Sequence, residues 1–440
     1  MHFRLSLVSL LAFILISGPL ASVQAQDVAP PEGFTALFNG QDLAGWKGRR
    51  DVPPGKWAAA DEATLKQWAE EDKANMEQHW TIQDGQIVND GKGVFLATEK
   101  SYRDFELLID YKTVAQADSG IYLKACPQVQ IWDFTEAGGK WDIGADKGSG
   151  GLWNNSAGTN GKDPAELADN AFGEWNSFKI RQIGQRTSVW LNGKHIVDHA
   201  LMENIYDRAS PLPVDGPILL QTHGGEIRWR NVFIREIDAD EASDILAKAT
   251  VDDSFESVFN GQDFSGWKGP TENYEVVDGS IKCKQGSGGT IFTEDEFDNF
   301  VVQFKFKLPK AGNNGLAIRY PGEGDTAYLG MCELQVLDSD YPGELDPRQV
   351  HGSAYGIAAA KTGYLRKHDT WNHQVVTVNG STIKVELNGS LILNANLSDV
   401  TEFLDDRPHP GMDRTTGHFG FAGHGDPVQF KDISIKQIEE

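Results

Sequence analysis

Cysteine is scarce in this chain. Three residues in 440 cannot build a dense disulfide framework, and their spacings match no zinc or redox motif. Cys283 and Cys332 lie close enough in sequence order to pair, with Cys126 left over, but isolated buried thiols are the simpler expectation. Positive charge is also short: 40 lysines and arginines stand against 64 aspartates and glutamates, a net charge of −24. A phosphate-backbone binder shows a basic footprint, so nucleic acid is excluded as a partner class. After the first 25 residues no run approaches the ~18 consecutive apolar residues of a spanning helix, which argues against membrane insertion of the mature chain. No H-E-x-x-H, EF-hand loop, P-loop or dinucleotide fingerprint occurs.

What the chain does have is turns, aromatics and repetition. Its 47 glycines and 18 prolines fit a turn-rich β protein, and 12 Trp, 10 Tyr and 22 Phe supply a generous aromatic core. Met1–Ala25 carries Arg4, an apolar run from Leu5 to Ile16, and Val23-Gln24-Ala25 at its end. That pattern is a secretory signal peptide, with an apolar run too short for an anchor, and it predicts an exported, periplasmic or extracellular protein. The remainder is one module written twice. Phe34–Gly48 (FTALFNGQDLAGWKG) and Phe255–Gly269 (FESVFNGQDFSGWKG) agree at ten of fifteen positions. Further matches follow in the same order. Ser119-Gly120-Ile121 aligns with Asn314-Gly315-Leu316, Gln130-Ile131-Trp132-Asp133 with Gln335-Val336-Leu337-Asp338, and His223-Gly224 with His424-Gly425.

Inside each copy the segments read as short strands. Phe105–Tyr111 and Phe300–Lys307 are rich in branched and aromatic residues, and Ile383–Leu387 alternates before the hairpin turn Asn388-Gly389. The expectation is therefore an all-β protein of two tandem sandwiches: signal peptide 1–25, first domain 33–238, an acidic linker 239–253 with some helical character, second domain 254–438. A helix over roughly Asp61–Gln78 is an insertion only the first copy has.

The series LFNG-x-D-L-x-GW, SGIyL, vQ-x-x-D, WN, LNG and Q-x-HGG resembles the 3-keto-disaccharide hydrolase family in both copies. The resemblance implies a concanavalin A-like jelly roll and action on glycosides whose sugar is oxidised to a ketone at carbon 3. On a strand, Glu333 and Gln335 share one face, ~6.6 Å apart along it, while Asp338 falls on the other face unless a bulge intervenes. The E-x-Q-x-x-D spacing is similar to the E-x-D-x-x-E signature of laminarinase-type glucanases, where two carboxylates face the sugar. Glu333 and Asp338 are thus candidate catalytic groups, with Asp133 at the matching place in copy one. His223 and His424, each in a glycine-rich stretch, are candidate acids or bases. The resemblance assigns substrate contact to Arg319 and Gln335, and in copy one to Lys124 and Gln130. Trp132 and Trp153 are candidate sugar-stacking rings. Copy one holds Gln128 where copy two has Glu333, and an amide cannot take up a proton at neutral pH.

The chemistry implied is removal of the acidified carbon-2 proton, departure of the anomeric group and addition of water; direct two-carboxylate hydrolysis is the competing route. No cofactor is indicated and no spacing marks a metal, although lectin-like sandwiches often carry a structural calcium. The expected ligand is carbohydrate, and the oligomeric state is open. Two other readings stand beside cleavage: a non-catalytic carbohydrate-binding or surface-interaction protein, and a division in which one copy binds and the other cuts.

Overall fold

A computed structural model describes residues 29–438, so the candidate signal segment lies outside the described residues. Each copy folds into two antiparallel sheets. In the first an eight-stranded sheet faces a five-stranded one, and the second repeats the pair with the same strand order. The two tandem β-sandwiches expected from the sequence are therefore present. Between the sheets of domain two, Phe304, Phe421 and Phe430 meet, with Phe421 and Phe430 stacked at 3.9 Å. Domain one packs Tyr111, Phe178 and Trp229 in the corresponding space.

The most conspicuous repeated motif is a structural clip. The Asn39 side chain accepts from the amides of Gln41 and Asp42, and Trp46 Nε1 donates to the Leu37 carbonyl at 2.6 Å. Asn260, Gln262, Asp263, Trp267 and Val258 make the same bonds in domain two. The asparagine closes a local turn, and the buried indole satisfies its one donor. Both Asn-Gly hairpins form as expected, with positive φ at Asn192, Gly193, Asn388 and Gly389.

The insertion is a helix at Glu62–His79, capped by the Asp61 carboxylate on the Thr64 amide. It lies against Gly48, where any Cβ would sit 2.3 Å from the Asp72 carbonyl. The expected linker is more ordered than an acidic composition suggests. Ala239–Thr250 is a helix capped by Asp238, and its Ala242 and Leu246 pack with Ile183 and Ile237. Its Ser243 hydroxyl donates to the Trp371 carbonyl of domain two at 3.1 Å. Acidic residues at its first turn suit the helix dipole, which is why the composition reads as linker while the apolar stripe folds.

The domains meet turn to turn. The Gln185 amide donates to the Gly389 carbonyl at 2.9 Å, and Arg186 holds Glu386 through two bonds of 2.8 and 2.6 Å. Arg366 and Asp104, both nearly sealed from solvent, pair at 3.2 Å beside them. The three cysteines are free and buried, as the simpler expectation had it.

Candidate active site

In domain two the edge strand Cys332–Leu337 pairs regularly with Asn313–Ile318. Leu334 and Val336 enter the core, so alternation sends Glu333 and Gln335 to the outer face of the five-stranded sheet. Gly315 lies under Glu333: a Cβ there would approach its carboxylate to 2.1 Å. The glycine is thus the seat of the acid. Glu333 is 6% exposed, and its one side-chain contact among the described residues is His424 Nε2 at 3.5 Å. That contact raises the His424 pKa above its usual 6.5, against the effect of burial. Gln335 donates to Asn313 Oδ1 at 2.8 Å, and the Asn313 amide in turn donates to Asp426 at 3.0 Å. Glu333, Gln335 and His424 are therefore brought together.

Asp338 is not brought to them. No bulge interrupts the strand, so its carboxylate turns the other way, accepting from the Ala311 amide at 2.6 Å and meeting His368 Nε2 at 2.9 Å. Ala311 has a φ of 57°, and the aspartate pins that strained turn. Asp133 does the same work in domain one, accepting from the Gln116 amide at 2.7 Å, where φ is 62°. Burial opposes its ionisation, but bonds from Thr135 and Gln116 hold its pKa below the usual value. Both aspartates are turn clips, held away from the face that carries Glu333 and, in domain one, Gln128. Asp338, Asp340 and His368 do bring ligand atoms within 4.8 Å of one another, a grouping that the sequence spacing did not mark.

The cations also lie elsewhere. A bulge at Arg319, φ 46°, rotates its side chain to the end of the sandwich, where it donates to the carbonyls of Asp298, Gly380 and Arg414, each at 2.8 Å. Lys124, φ 56°, enters the equivalent socket and donates to the Gly184 carbonyl at 3.0 Å. Neither reaches the outer face, so neither touches a substrate there. Both residue type and chain position misled, because one left-handed residue reverses the alternation.

Burial pulls the Lys124 pKa down to about 8, with Asp104 opposing and Arg103 reinforcing the shift. The unfolded chain keeps that proton to about 10.4. Between those values the unfolded state binds more protons, so stability is expected to climb as pH rises from 8 towards 10.4. The climb amounts to on the order of 3 kcal/mol. The buried thiols of Cys126, Cys283 and Cys332, whose pKa values burial raises, pull the opposite way in that window, so the Lys124 contribution is read as the difference in urea midpoint between wild type and Lys124→Met; an identical slope in both would refute the assignment.

Domain one shows a different arrangement of the same parts. Gln128, Gln130 and Trp132 share the outer face, since Val129 and Ile131 are core residues. Gln128 donates to Gln130, and Gln130 donates to Asp118 Oδ1 at 2.8 Å. His223 Nδ1 lies 2.9 Å from the same aspartate, and Lys140 pairs with it too. The acid facing the histidine has therefore moved from the edge strand to its neighbour. Asp118 and Lys140 were absent from the sequence reading. Asp118 was findable, being the partner of Asn313 in the repeat and one residue before Ser119-Gly120; Lys140 sits in a loop with no signal. Trp132 is nearly buried, bonded to the Gly148 carbonyl at 2.8 Å, and Trp153 packs edge-on against it.

Residues 33–235 and 254–436 each match the 3-keto-alpha-glucoside-1,2-lyase-like domain. The chain belongs to this family. A 3-keto-disaccharide hydrolase of Bacteroides thetaiotaomicron is 24% identical over 232 residues, 42% of this chain and 79% of that protein. Among solved structures, a Parabacteroides distasonis protein assigned to the glycosyl hydrolases is 24% identical, with a TM-score of 0.39, covering 44% of this chain and 97% of its own. A carbohydrate-binding module of Bacillus subtilis is 14% identical, with a TM-score of 0.29, over 39% of this chain and 96% of its own. The lyase-like module is thus present twice, and the two copies differ in where they hold their acid.

Proposed function

We propose that this protein cleaves glycosides of 3-keto sugars, with the chemistry in domain two. Membership of the lyase-like family, together with the hydrolase relative, supports an enzyme that cleaves carbohydrate. The observation that carries the finer reading is the Glu333–His424 pair on the outer face. A buried carboxylate with one histidine contact and no other partner has lone pairs free for a substrate proton. Glu333 takes the proton from carbon 2, and the electron pair delocalises into the carbon-3 carbonyl as an enolate. The enolate then expels the anomeric oxygen, forming a carbon 1–carbon 2 double bond. His424, favoured in its protonated form by Glu333, donates a proton to the departing oxygen. Water adds at carbon 1, and the net result is hydrolysis. The free carboxylate of Glu333 beside His424 suits elimination, whereas two-carboxylate displacement needs a second acid across the sugar. We further read the protein as exported, on the pattern of Met1–Ala25.

In deuterated water, a 3-keto-glucoside is expected to acquire deuterium at carbon 2 during cleavage, while the unoxidised parent glucoside remains intact. Mass spectrometry of the released sugar checks both. Equal cleavage of the two glucosides, or cleavage with no deuterium at carbon 2, would overturn the reading.

A further inference from the structure

Among the described residues two arginines are buried, Arg49 and Arg319. Arg319 donates to three carbonyls. Arg49 is 7% exposed, yet among the described residues no acceptor or carboxylate meets its guanidinium. Asp72, the acid whose field reaches it, is already held by the amide and Nε of Arg50. The Trp57 ring covers the guanidinium, with 4.3 Å from its carbon to the ring centroid. One flat face is therefore taken while the N–H fork stays free. Burial without a partner disfavours the charge and pulls the Arg49 pKa down. A desolvated cation of this kind is costly unless an anion joins it.

Arg49 belongs to the outer face of domain one. It pairs in register with Phe95, whose ring lies 5.4 Å from that of Tyr122. Phe95 and Tyr122 pack together outside the main core. Tyr122 is also 7% exposed, and its hydroxyl has no hydrogen-bond partner among the described residues. Neither that hydroxyl nor the guanidinium is sealed from water. Tyr206 stands within electrostatic reach of both residues. The two free donors therefore flank the Phe95 ring on one face. Domain two offers neither of them: Pro270 stands where domain one has Arg49, and Ala317 where it has Tyr122. A guanidinium fork matches the two oxygens of a carboxylate, and a phenol adds a further donor.

We propose that this place on domain one binds the carboxylate of an acidic sugar, the Arg49 fork taking the two oxygens and the Tyr122 hydroxyl donating to one of them. That a sugar carries the carboxylate rests on the carbohydrate-cleaving reading; the need for an anion does not. Glucuronate, glucose and acetate are titrated into the full chain, with calorimetry and tryptophan fluorescence as readouts, since Trp57 lies against the guanidinium. Glucuronate is expected to bind at least tenfold more tightly than glucose or acetate. Arg49→Gln should weaken it at least tenfold, and Tyr122→Phe, which removes only the hydroxyl, severalfold. The proposal is overturned if glucuronate does not bind, if glucose or acetate binds as tightly, or if Arg49→Gln binds normally. Should Arg49→Gln fail to fold, normal binding in Tyr122→Phe overturns it instead. Glucuronate binding in a protein that cleaves no 3-keto-glucoside would sink the function proposed for domain two and leave this site standing.

Discussion

Glu333→Gln is expected to fold normally and to lose about 10²–10⁴-fold of its turnover on a 3-keto-glucoside, the usual worth of a positioned general base. The protein itself shows that the substitution is tolerated. Domain one carries Gln128 at this place in the same kind of strand, bonded to the neighbouring Gln130. Gln335 offers the variant the same partner. Loss of the carboxylate also removes the main influence raising the His424 pKa. The imidazole should therefore titrate at a lower pH in the variant, measurable by NMR of its ring protons. Unchanged turnover would exclude Glu333 as the base. Lost turnover with an unmoved His424 titration would show that the two groups do not communicate.

Arg319→Met is expected to act on stability. The guanidinium joins three carbonyls and the Asn299 side chain at the sealed end of domain two. Methionine fills much of the volume but strands those acceptors, at about 1–3 kcal/mol for each that water cannot reach. A loss of roughly 4 kcal/mol is expected for the group, visible as a lower urea midpoint for domain two. The fraction that remains folded should turn over substrate at the wild-type rate. Arg319→Lys should recover part of the stability, since Lys124 occupies the matching socket with a bond to the Gly184 carbonyl. A variant that unfolds at the wild-type urea concentration yet binds substrate poorly would return Arg319 to the site.

The duplication made most of the fold legible, because two copies written in one chain act as their own alignment. Strand periodicity and the Asn-Gly turns supplied the sandwiches, and the helical spacing of Leu65, Trp68 and Met76 marked the insertion helix. Strict alternation also placed Glu333 and Gln335 correctly, and it warned that Asp338 would face away. What escaped the sequence were the features set by left-handed residues outside the Asn-Gly turns. Arg319 sits one bulge away from the face its position implies, and Lys124 is turned from it by its own left-handed backbone past the end of the strand. Asp133 and Asp338 serve turns whose strain at Gln116 and Ala311 has no signature in residue type. Lys140 reaches Asp118 across a loop, a contact no spacing encodes. The linker helix was legible only in part, because its acidic residues suit both a solvated tether and a helix start.

The turn-to-turn contact between the domains is heterologous. Gly184 of domain one presses on Asn388 and Gly389 of domain two, where a Cβ on Gly184 would meet the Asn388 carbonyl at 2.4 Å. The equivalent surfaces on the far sides stay open, for a Cβ on Gly193 or on Gly380 meets nothing within 4 Å. One module therefore offers a plug and the other a socket. Such a joint has no twofold axis to close it. It is the geometry of a propagating chain of modules, but Thr382 and Asn299 stand in domain two where domain one has Arg186 and Asp104, so a third copy docking on Gly380 would lack the charged pairs that flank the existing joint.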